Sequence, residues 1–401
     1  MSVELLAEPA SDAPTPQSLV PSPQPPAPRL VRVLHIINGD HYAGAERVQD
    51  LLAARLPEFG FEAAFALLKG GAFAEARACK SAKLYDTPMR GRLDVRQIRH
   101  IAEIVRREEY ALIHAHTARS AMIGRLAASM AGVPMVYHVH SPTIRNTTNR
   151  AANVLNTIVE RASLVGVPRL ITVSHSLAAH MRKYGISARR LTVVHNGVPG
   201  PERLIERATP SGEWTLGVVA LFRPRKGLEV LLDAVSILRS HDYDVRLRAV
   251  GKFETPEYEA EIKGRAARLQ IAEAIDWTGF TRDVPAEMRR MDLFVLPSLF
   301  GEGLPMVVLE AMAHGVPVVG TRVEGVPEAV RDGAEGVLAA PGDAVDLSAA
   351  IRRFLDGQVD WQTIRRAAFE RHGTEFSDAA MAAKVAAVYR DVLAERRRPG
   401  A

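Results

Sequence analysis

Short apolar runs alternate with amphipathic segments along most of the chain. The first run, Val31 to Ile37, reads VRVLHII, and a polar loop separates it from a segment beginning at Ala45 with apolar residues at helical spacing. Continuous apolar runs of this length are typical of buried parallel strands, and their alternation with helices is typical of doubly wound sheets. Further strands are predicted in this half at Phe61 to Leu68, Ala111 to Ala115, Pro134 to Val139, Leu170 to Val173 and Leu191 to His195.

The helices predicted between these strands show the complementary 3.6-residue periodicity. They are Asp94 to Arg107, Ala118 to Met130, Asn149 to Leu164 and His175 to Tyr184.

The rhythm breaks at residues 199–213, where Gly, Pro and charged residues predict a linker. We therefore predict one α/β domain at residues 30–198 and a second at 214–374. Strands of the second domain are predicted at Thr215 to Phe222, Val245 to Val250, Ala274 to Thr278, Leu293 to Leu296, Val316 to Gly320 and Gly336 to Leu338. Its helices are predicted at Leu228 to Arg239, Glu257 to Leu269, Pro285 to Arg290, Pro305 to His314 and Leu347 to Leu355.

The two ends of the chain differ from this pattern and from each other. Residues 1–29 are rich in Pro, Ser and Ala and predict a disordered tail, because such a composition cannot build a core. Residues 375–401 contain a predicted helix, Ser377 to Arg396, with an apolar stripe that includes Met381, Val385 and Val392.

Composition narrows the class of protein. The chain has 401 residues and a formal net charge of +5, with 47% hydrophobic residues and a single cysteine, Cys79, which excludes disulfides and cysteine-based zinc sites. No uncharged apolar run approaches the roughly 18 residues that span a bilayer. The first residues are acidic and Pro-rich, unlike a signal peptide, and we expect a cytoplasmic protein.

The basic residues concentrate in the first half. Aromatic residues interleaved with them are scarce, so a nucleic-acid partner is not expected. An anionic membrane surface or phosphorylated small molecules suit the pattern better, and simple solvation of helix faces explains it equally well.

Candidate chemistry concentrates in residues 300–319, which read FGEGLPMVVLEAMAHGVPVV. This stretch follows a predicted strand and places Glu302 in a Gly-rich loop and Glu310 on the following helix. The carboxyl ends of parallel strands border the crevice where such sheets bind ligands, and a helix N-terminus there suits a phosphate. Taken alone, this spacing of two acids is also common in unrelated loops and helices.

The neighbouring motifs make the pattern specific. Seven residues separate Glu302 from Glu310, EAMA and a G-x-P-V strand follow, and GVPEAVRDGAEG begins at Gly325. Upstream lie VVHNGV at 193–198 and RPRKGLEVLLDAV at 223–235. From Val31 to about Arg396 the chain closely resembles the family-four retaining glycosyltransferases, also called glycosyl transferases group 1. That family has the GT-B fold, in which two Rossmann-like doubly wound domains face a central cleft.

The resemblance implies a nucleotide-sugar site in the second domain. Glu302 would lie beside the transferred sugar, and Glu310 would hold the ribose hydroxyls. Lys226 would bind the diphosphate, because cationic groups stabilise the charge that grows as the glycosidic bond breaks. The arginine that normally lies five residues before this lysine is absent, since that position is Leu221, so Arg223 or Arg225 must replace it, and we favour Arg223.

Backbone amides of the loop should also hold the diphosphate. Pro305 stands where relatives commonly have Gly and has no N–H to donate, so Leu304 and Met306 must supply the amides. The base would lie near Phe280, which is otherwise a plausible core residue.

The first domain would face the acceptor. Gly44 begins a helix where only a small residue lets the backbone approach phosphate closely. His140, at the end of the strand PMVYHVH, would reach the transferred sugar; an ordinary hydrogen-bonded loop histidine is the alternative. His114 and His116 alternate like metal ligands, but no nearby carboxylate completes a site. The resemblance implies no metal and no resident cofactor.

The function implied is transfer of a sugar, with retention of configuration, from a UDP- or GDP-sugar to a glycan or lipid-linked saccharide of cell-surface polysaccharide assembly. The C-terminal helix would cross back to the first domain, and the helix Asn149 to Leu164 either docks on the inner face of a membrane or packs on its own domain. Two alternatives stay open: a GT-B nucleotide-sugar epimerase and a non-catalytic nucleotide-sugar-binding subunit.

Overall fold

A computed structural model describes residues 29–91, 94–141 and 161–397. Most of the predicted tail and most of the predicted helix Asn149 to Leu164 lie outside these residues. The first sheet has seven parallel strands in the order β3-β2-β1-β4-β5-β6-β7. They are β1 (Val31–Ile37), β2 (Phe61–Leu67), β3 (Leu84–Asp86), β4 (Leu112–Ala115), β5 (Met135–Val139), β6 (Arg169–Thr172) and β7 (Leu191–Val193).

The helices of this half connect successive strands. The described ones are α1 (Gly44–Arg55), α2 (Ala72–Ala76), α3 (Arg96–Arg107), α4 (Ala118–Ala131) and α5 (His175–Lys183). Helix α4 illustrates the local signals: the Thr117 hydroxyl accepts from the Ser120 amide at its start, and Gly132 ends it in the left-handed conformation.

The second sheet has six parallel strands in the order β10-β9-β8-β11-β12-β13. They are β8 (Trp214–Val219), β9 (Val245–Val250), β10 (Ile275–Gly279), β11 (Leu293–Leu296), β12 (Val318–Thr321) and β13 (Gly336–Ala339). The helices are α6 (Leu228–Ser240), α7 (Pro256–Arg268), α8 (Val284–Met288), α9 (Met306–Ala313), α10 (Val326–Ala329), α11 (Ala344–Leu355), α12 (Trp361–Arg371) and α13 (Asp378–Arg397). Two doubly wound parallel sheets confirm the predicted α/β class.

Each sheet has one point where the strand order reverses. In the first sheet it lies between β1 and β4, and in the second between β8 and β11. The loops at the carboxyl ends of such strand pairs diverge and leave a crevice for ligands. The two halves meet at the carboxyl ends of their strands, where the Asn196 side-chain amide donates to the Leu304 carbonyl at 3.0 Å and Gly303 lies against the His140 carbonyl.

The last helix packs on the first sheet's half of the molecule. Residues before α13 pair with the connection after β7, since the Val198 amide donates to the Phe376 carbonyl at 2.9 Å. From there, Arg55 of α1 donates to Asp378 at 2.8 Å, and the Tyr389 ring packs edge-on against Phe61. No helix among the described residues has both the length and the apolar content needed to cross a bilayer.

Four short or atypical elements were not predicted: β3, α2, α10 and α12. The predicted helix Pro305 to His314 begins one residue later, at Met306, with Pro305 as its N-cap. Lys226 lies in a 3₁₀ turn, Pro224–Lys226, rather than at the start of α6.

Candidate active site

The loop after β8 packs tightly onto the end of β11. Gly227 follows the 3₁₀ turn with a positive φ of 67°, and a Cβ there would lie 2.0 Å from the Pro297 carbonyl oxygen. Only glycine therefore fits this close approach. This close approach places Lys226 beside the loop that carries Glu302.

Glu302 is 5% exposed and is held by two groups from one side. Lys226 Nζ donates to Glu302 Oε1 at 2.5 Å, and the Ser298 hydroxyl donates to the same oxygen at 2.6 Å. The Glu324 carboxylate fixes the loop itself by accepting from the amides of Gly301 and Glu302. The carboxylate is thus oriented at the strand end before any ligand binds.

Burial lowers the pKa of Lys226, and the neighbouring Glu302 carboxylate opposes that shift. A second anion beside this ammonium would stabilise its charged form further. Lys226 therefore supplies the positive charge at this position, and the Glu302 carboxylate balances it.

The two candidate arginines of this turn point to different neighbours. Arg225 Nη1 donates to the Gly301 carbonyl at 3.2 Å and lies 3.9 Å from Glu302 Oε1. Arg223 Nη1 instead donates to Glu254 at 3.4 Å. The structure thus places Arg225, and not the favoured Arg223, against the Glu302 loop.

Glu310 lies on α9 and is almost fully buried. Its carboxylate forms an ion pair with Arg47, which comes from α1 on the other half of the molecule. Burial raises the pKa of Glu310, and the Arg47 guanidinium opposes the shift. In this state the acid predicted to hold ribose is therefore held by a cation from across the cleft.

The N-termini of α1 and α9 lie close to each other. Helix α1 begins at Gly44, and a Cβ on Gly44 would lie 3.9 Å from the Met306 sulfur at the start of α9. The first amides of a helix have no intrahelical acceptor, and the helix dipole is positive at this end. The structure thus places Gly44 beside the Met306 side chain, two residues after Leu304 in the sequence.

Phe280 lies apart from this group. It follows β10, the edge strand, and is 69% exposed. The structure therefore excludes the alternative of a core residue and leaves its ring free for contact with a ligand.

Five histidines pack together at the carboxyl ends of the neighbouring strands β1, β4 and β5: His35, His114, His116, His138 and His140. Their ring centroids lie 4.1 to 5.5 Å apart. Burial lowers the pKa of all five, to about 4 for His140 and about 3 for His35. The rings are therefore neutral at physiological pH.

Among the described residues, the side-chain nitrogens and oxygens of three groups lie close enough together to share a metal ion, although no resident metal was predicted. The groups are His35, His114 and His116; His116, His138 and His140; and His175, His195 and Glu328. Most of the nitrogens of His35, His116 and His140 already form hydrogen bonds to one another. Both nitrogens of His138 are buried without a partner among the described residues.

Similarity to known proteins identifies the family. Residues 213–357 match the family model of glycosyl transferases group 1, and residues 42–199 match that of glycosyltransferase family 4. A D-inositol 3-phosphate glycosyltransferase from Streptomyces griseus is 30% identical over 332 residues, 72% of this chain and 68% of that relative. The chain belongs to the group 1 glycosyltransferases.

Other glycosyltransferases share part of the sequence or the whole fold. The colanic acid biosynthesis glycosyltransferase WcaL of Salmonella typhimurium is 28% identical over 204 residues, 49% of each chain. Among solved structures, Anabaena HepE in complex with UDP has a TM-score of 0.79 at 22% identity and covers 90% of this chain and 100% of its own. Its complex with UDP-glucose has a TM-score of 0.77. The GT-B fold and the enzyme class of this glycosyltransferase are confirmed.

Several residues of this glycosyltransferase site were not predicted from the sequence. Ser298 and Glu324 support the Glu302 loop, and their signal was weak, because a polar residue beside a strand end is common. His35 and Tyr389 contact the histidine cluster. His35 carried a usable signal, since it alternates with apolar residues in β1 as His114 does in β4.

Proposed function

We propose that this glycosyltransferase transfers a sugar, with retention of configuration, from a UDP-sugar to an acceptor hydroxyl in the cleft. The observation that carries the proposal is the Lys226–Glu302 pair, which lies at the reversal point of the second sheet beside the N-termini of α1 and α9. A buried cation and two helix ends form a site for a diphosphate, and the adjacent acid faces the sugar.

The donor would be held from base to sugar by residues of the second half. Phe280 would stack on the base and Glu310 would accept from the ribose hydroxyls. Lys226 and Arg225 would neutralise the diphosphate, together with the loop amides. Arg223 is the alternative to Arg225, but its side chain lies with Glu254.

Ribose binding would require Glu310 to exchange its partner. The Glu310 carboxylate forms an ion pair with Arg47. If the ribose hydroxyls donated to Glu310 instead, Arg47 would be released to pair with the diphosphate, which would neutralise its charge.

For the chemical step we favour displacement on one face of the sugar. The bond from the anomeric carbon to the phosphate oxygen breaks, and the bond to the acceptor oxygen forms on the same side. The acceptor proton passes to the leaving phosphate oxygen. Glu302 and His140 would orient the sugar, while Lys226 stabilises the charge of the leaving diphosphate.

The acceptor would be a glycan or a lipid-linked saccharide bound by the first half. The similarity to WcaL, named for colanic acid biosynthesis, favours this class. The relative named for D-inositol 3-phosphate favours a second candidate, a phosphorylated cyclitol. A lipid-linked acceptor would place the enzyme at the cytoplasmic face of a membrane.

A donor panel followed by an acceptor assay tests the proposal. UDP- and GDP-sugars are first ranked by the increase in melting temperature, and the best donor is then incubated with lipid-linked glycans and with inositol phosphate. Acceptor-dependent UDP release with an α-linked product from an α-linked donor supports the proposal. Release of free sugar without acceptor indicates an epimerase, and binding without turnover indicates a non-catalytic subunit; either result overturns it.

A further inference from the structure

A continuous hydrogen-bonded chain runs from the cleft into the core. His140 Nε2 lies 3.1 Å from His116 Nδ1, and His116 Nε2 lies 3.1 Å from His35 Nδ1. His35 Nε2 lies 3.2 Å from the Tyr389 hydroxyl, which lies 2.6 Å from His114 Nδ1. We call these five residues the histidine chain.

The hydrogen bonds that join His140, His116, His35 and Tyr389 must all point the same way. Burial keeps the rings neutral, so each imidazole has one N–H and one lone pair. His116 and His35 use both nitrogens, and each therefore donates on one side and accepts on the other. The protons are either all directed toward the cleft or all directed toward the core.

The inner end of the chain distinguishes the two directions. His114 Nε2 is buried without a partner among residues 29–91, 94–141 and 161–397. If the protons pointed toward the core, either His114 Nε2–H or the Tyr389 O–H would be a buried donor with no acceptor. If they point toward the cleft, His114 Nε2 is instead an unpaired acceptor. Buried donors without partners are the rarer case in proteins.

We propose that the histidine chain holds His140 as the tautomer with its proton on Nδ1. The inference rests on the proposed function for the role of His140, which contacts the transferred sugar. His140 Nε2 accepts from His116, so the ring offers the sugar a hydrogen-bond donor and not a base. His116, His35, His114 and Tyr389 are positioning residues for that donor.

Tyr389 connects the histidine chain to the C-terminal helix. It lies on α13 and is fully buried. Burial raises its pKa far above the ordinary value, so the hydroxyl keeps its proton and can donate to His35 Nε2. The C-terminal helix thereby supplies one bond of the network that orients a cleft residue.

The wild-type protein provides the first test. Two-bond ¹H–¹⁵N correlation spectra of the full-length, ¹⁵N-histidine-labelled enzyme distinguish Nδ1–H from Nε2–H, and a His140→Gln sample identifies the His140 signal. A chelator in the buffer removes any metal. We expect the Nδ1–H pattern at His140, and also at His116, His35 and His114. An Nε2–H pattern at His140 would overturn the inference.

A matched pair of variants provides the second test. His116→Asn keeps a donor at the position of Nδ1, whereas His116→Leu removes it. We expect kcat/KM for the UDP-sugar to fall about three- to tenfold in His116→Leu, the loss of one hydrogen bond, and to recover in His116→Asn. UDP, which lacks the sugar, should bind all forms equally.

Equal loss of activity in both variants, or a parallel loss of UDP affinity, would mean that His116 has a purely structural role. If His116→Leu does not fold, the wild-type spectrum still decides. The spectrum needs no substrate, so it tests the tautomer even if the protein transfers no sugar.

Discussion

At the residue scale, the site depends on charges that satisfy one another before the ligand arrives. Lys226 is largely buried, with 15% of its side chain exposed, and its partner Glu302 keeps the ammonium from being an isolated charge. Across the cleft, Arg47 does the same for Glu310. Because removing one member of a buried pair leaves the other uncompensated, substitutions here affect stability as well as ligand binding.

If Lys226 binds the diphosphate as proposed, Lys226→Ala should reduce kcat/KM by about 10²- to 10³-fold, because it removes the charge that stabilises the leaving group. UDP affinity measured by calorimetry should fall in parallel. The control is Lys263→Ala on α7, which removes an exposed lysine paired with Glu259 at 2.6 Å. Full activity in Lys226→Ala would disprove the assignment of the diphosphate site.

Arg225→Ala and Arg223→Ala form a second matched pair. Arg225 lies against the Glu302 loop, so its loss should lower UDP affinity about tenfold, as expected for a charged hydrogen bond. Arg223 pairs with the exposed Glu254, and its loss should change affinity by less than about twofold. A larger loss of UDP affinity in Arg223→Ala than in Arg225→Ala would instead assign diphosphate binding to Arg223.

Gly303→Ala tests whether the Glu302 loop must pack closely against the end of the His140 strand. A Cβ there would lie 2.4 Å from the His140 carbonyl oxygen, so the Glu302 loop and the His140 strand end must separate. We expect at least an about tenfold fall in kcat/KM, since displacements of about 1 Å from productive geometry are costly. Small-angle scattering should show a larger radius of gyration.

Gly264→Ala is the control for this change. Its nearest atom would be Arg268 Nη1 at 3.4 Å, and Ala in the helix should stabilise the protein by up to about 1 kcal/mol. Unaltered kinetics and scattering in Gly303→Ala would show that the contact does not limit the site.

The sequence could predict the location of the site residues but not their pairing. Glu302, Glu310 and Lys226 were marked by the motifs that contain them. Arg47 and Glu310 are remote in sequence, and their ion pair exists only because the two halves meet. Likewise, Arg223 and Arg225 are only two positions apart in one turn. The backbone path of that turn decides which of the two side chains contacts the Glu302 loop and which contacts Glu254.

At the element scale, a carboxylate and a helix end hold the two halves together. Glu328 of α10 accepts from the amides of His175 and Ser176 at the start of α5, at 2.6 and 2.8 Å. His195 Nε2 lies 3.3 Å from the same carboxylate. An acid at a helix N-terminus is stabilised by free amides and by the helix dipole.

This contact gives the interface a defined pH dependence. Burial raises the pKa of Glu328, but the bonds from His195, Ser176 and His175 outweigh it, and the net shift is downward. The stabilisation is therefore fully present above the unfolded-state pKa and is lost as pH falls through the lower folded-state pKa. Wild-type melting temperature should fall more steeply below about pH 4.5 than that of Glu328→Gln.

Glu254→Gln, which alters an exposed acid, should follow the wild-type curve in the same scanning calorimetry. Parallel curves for wild type and Glu328→Gln would show that this contact does not stabilise the association of the two halves.

Helices and strands were predictable where their buried residues form a regular apolar pattern in the sequence. Apart from β3, the strands of both sheets were predicted to within about three residues at each end, because buried parallel strands read as apolar runs. Helix α12 was not predicted because one of its buried residues is Arg365, a charged residue that interrupts the apolar stripe. Its guanidinium donates to the carbonyls of Gly315 and Ile205. Strand β3 has three residues and no fully buried one, so it carries too little pattern.

At the scale of the whole molecule, two sheets with one reversal point each were predicted from the alternation of strands and helices. That the reversal points face one another followed from the resemblance, not from periodicity. The crossing of α13 was expected in the same way, and its contacts with Phe61, Arg55 and His114 are tertiary features that no local pattern encodes.

A chain ending at Ser377 should test how far the first half depends on α13. Its removal uncovers Phe61, against which the Tyr389 ring packs, and takes away the buried side chains of Val385 and Val392. We expect increased binding of a hydrophobic dye and a loss of soluble protein. A chain ending at Arg397 is the control, and equal solubility of the two would show that the first half is complete without the helix.

The position of α13 also has a consequence for biosynthesis. The first half of the molecule leaves the ribosome well before the helix that completes it, separated by the whole second half. At about 5–20 residues per second, this interval is on the order of 10–40 s. During that time the nascent first half would expose the surface that α13 later covers, so we expect a chaperone to bind this glycosyltransferase during its translation until the helix docks.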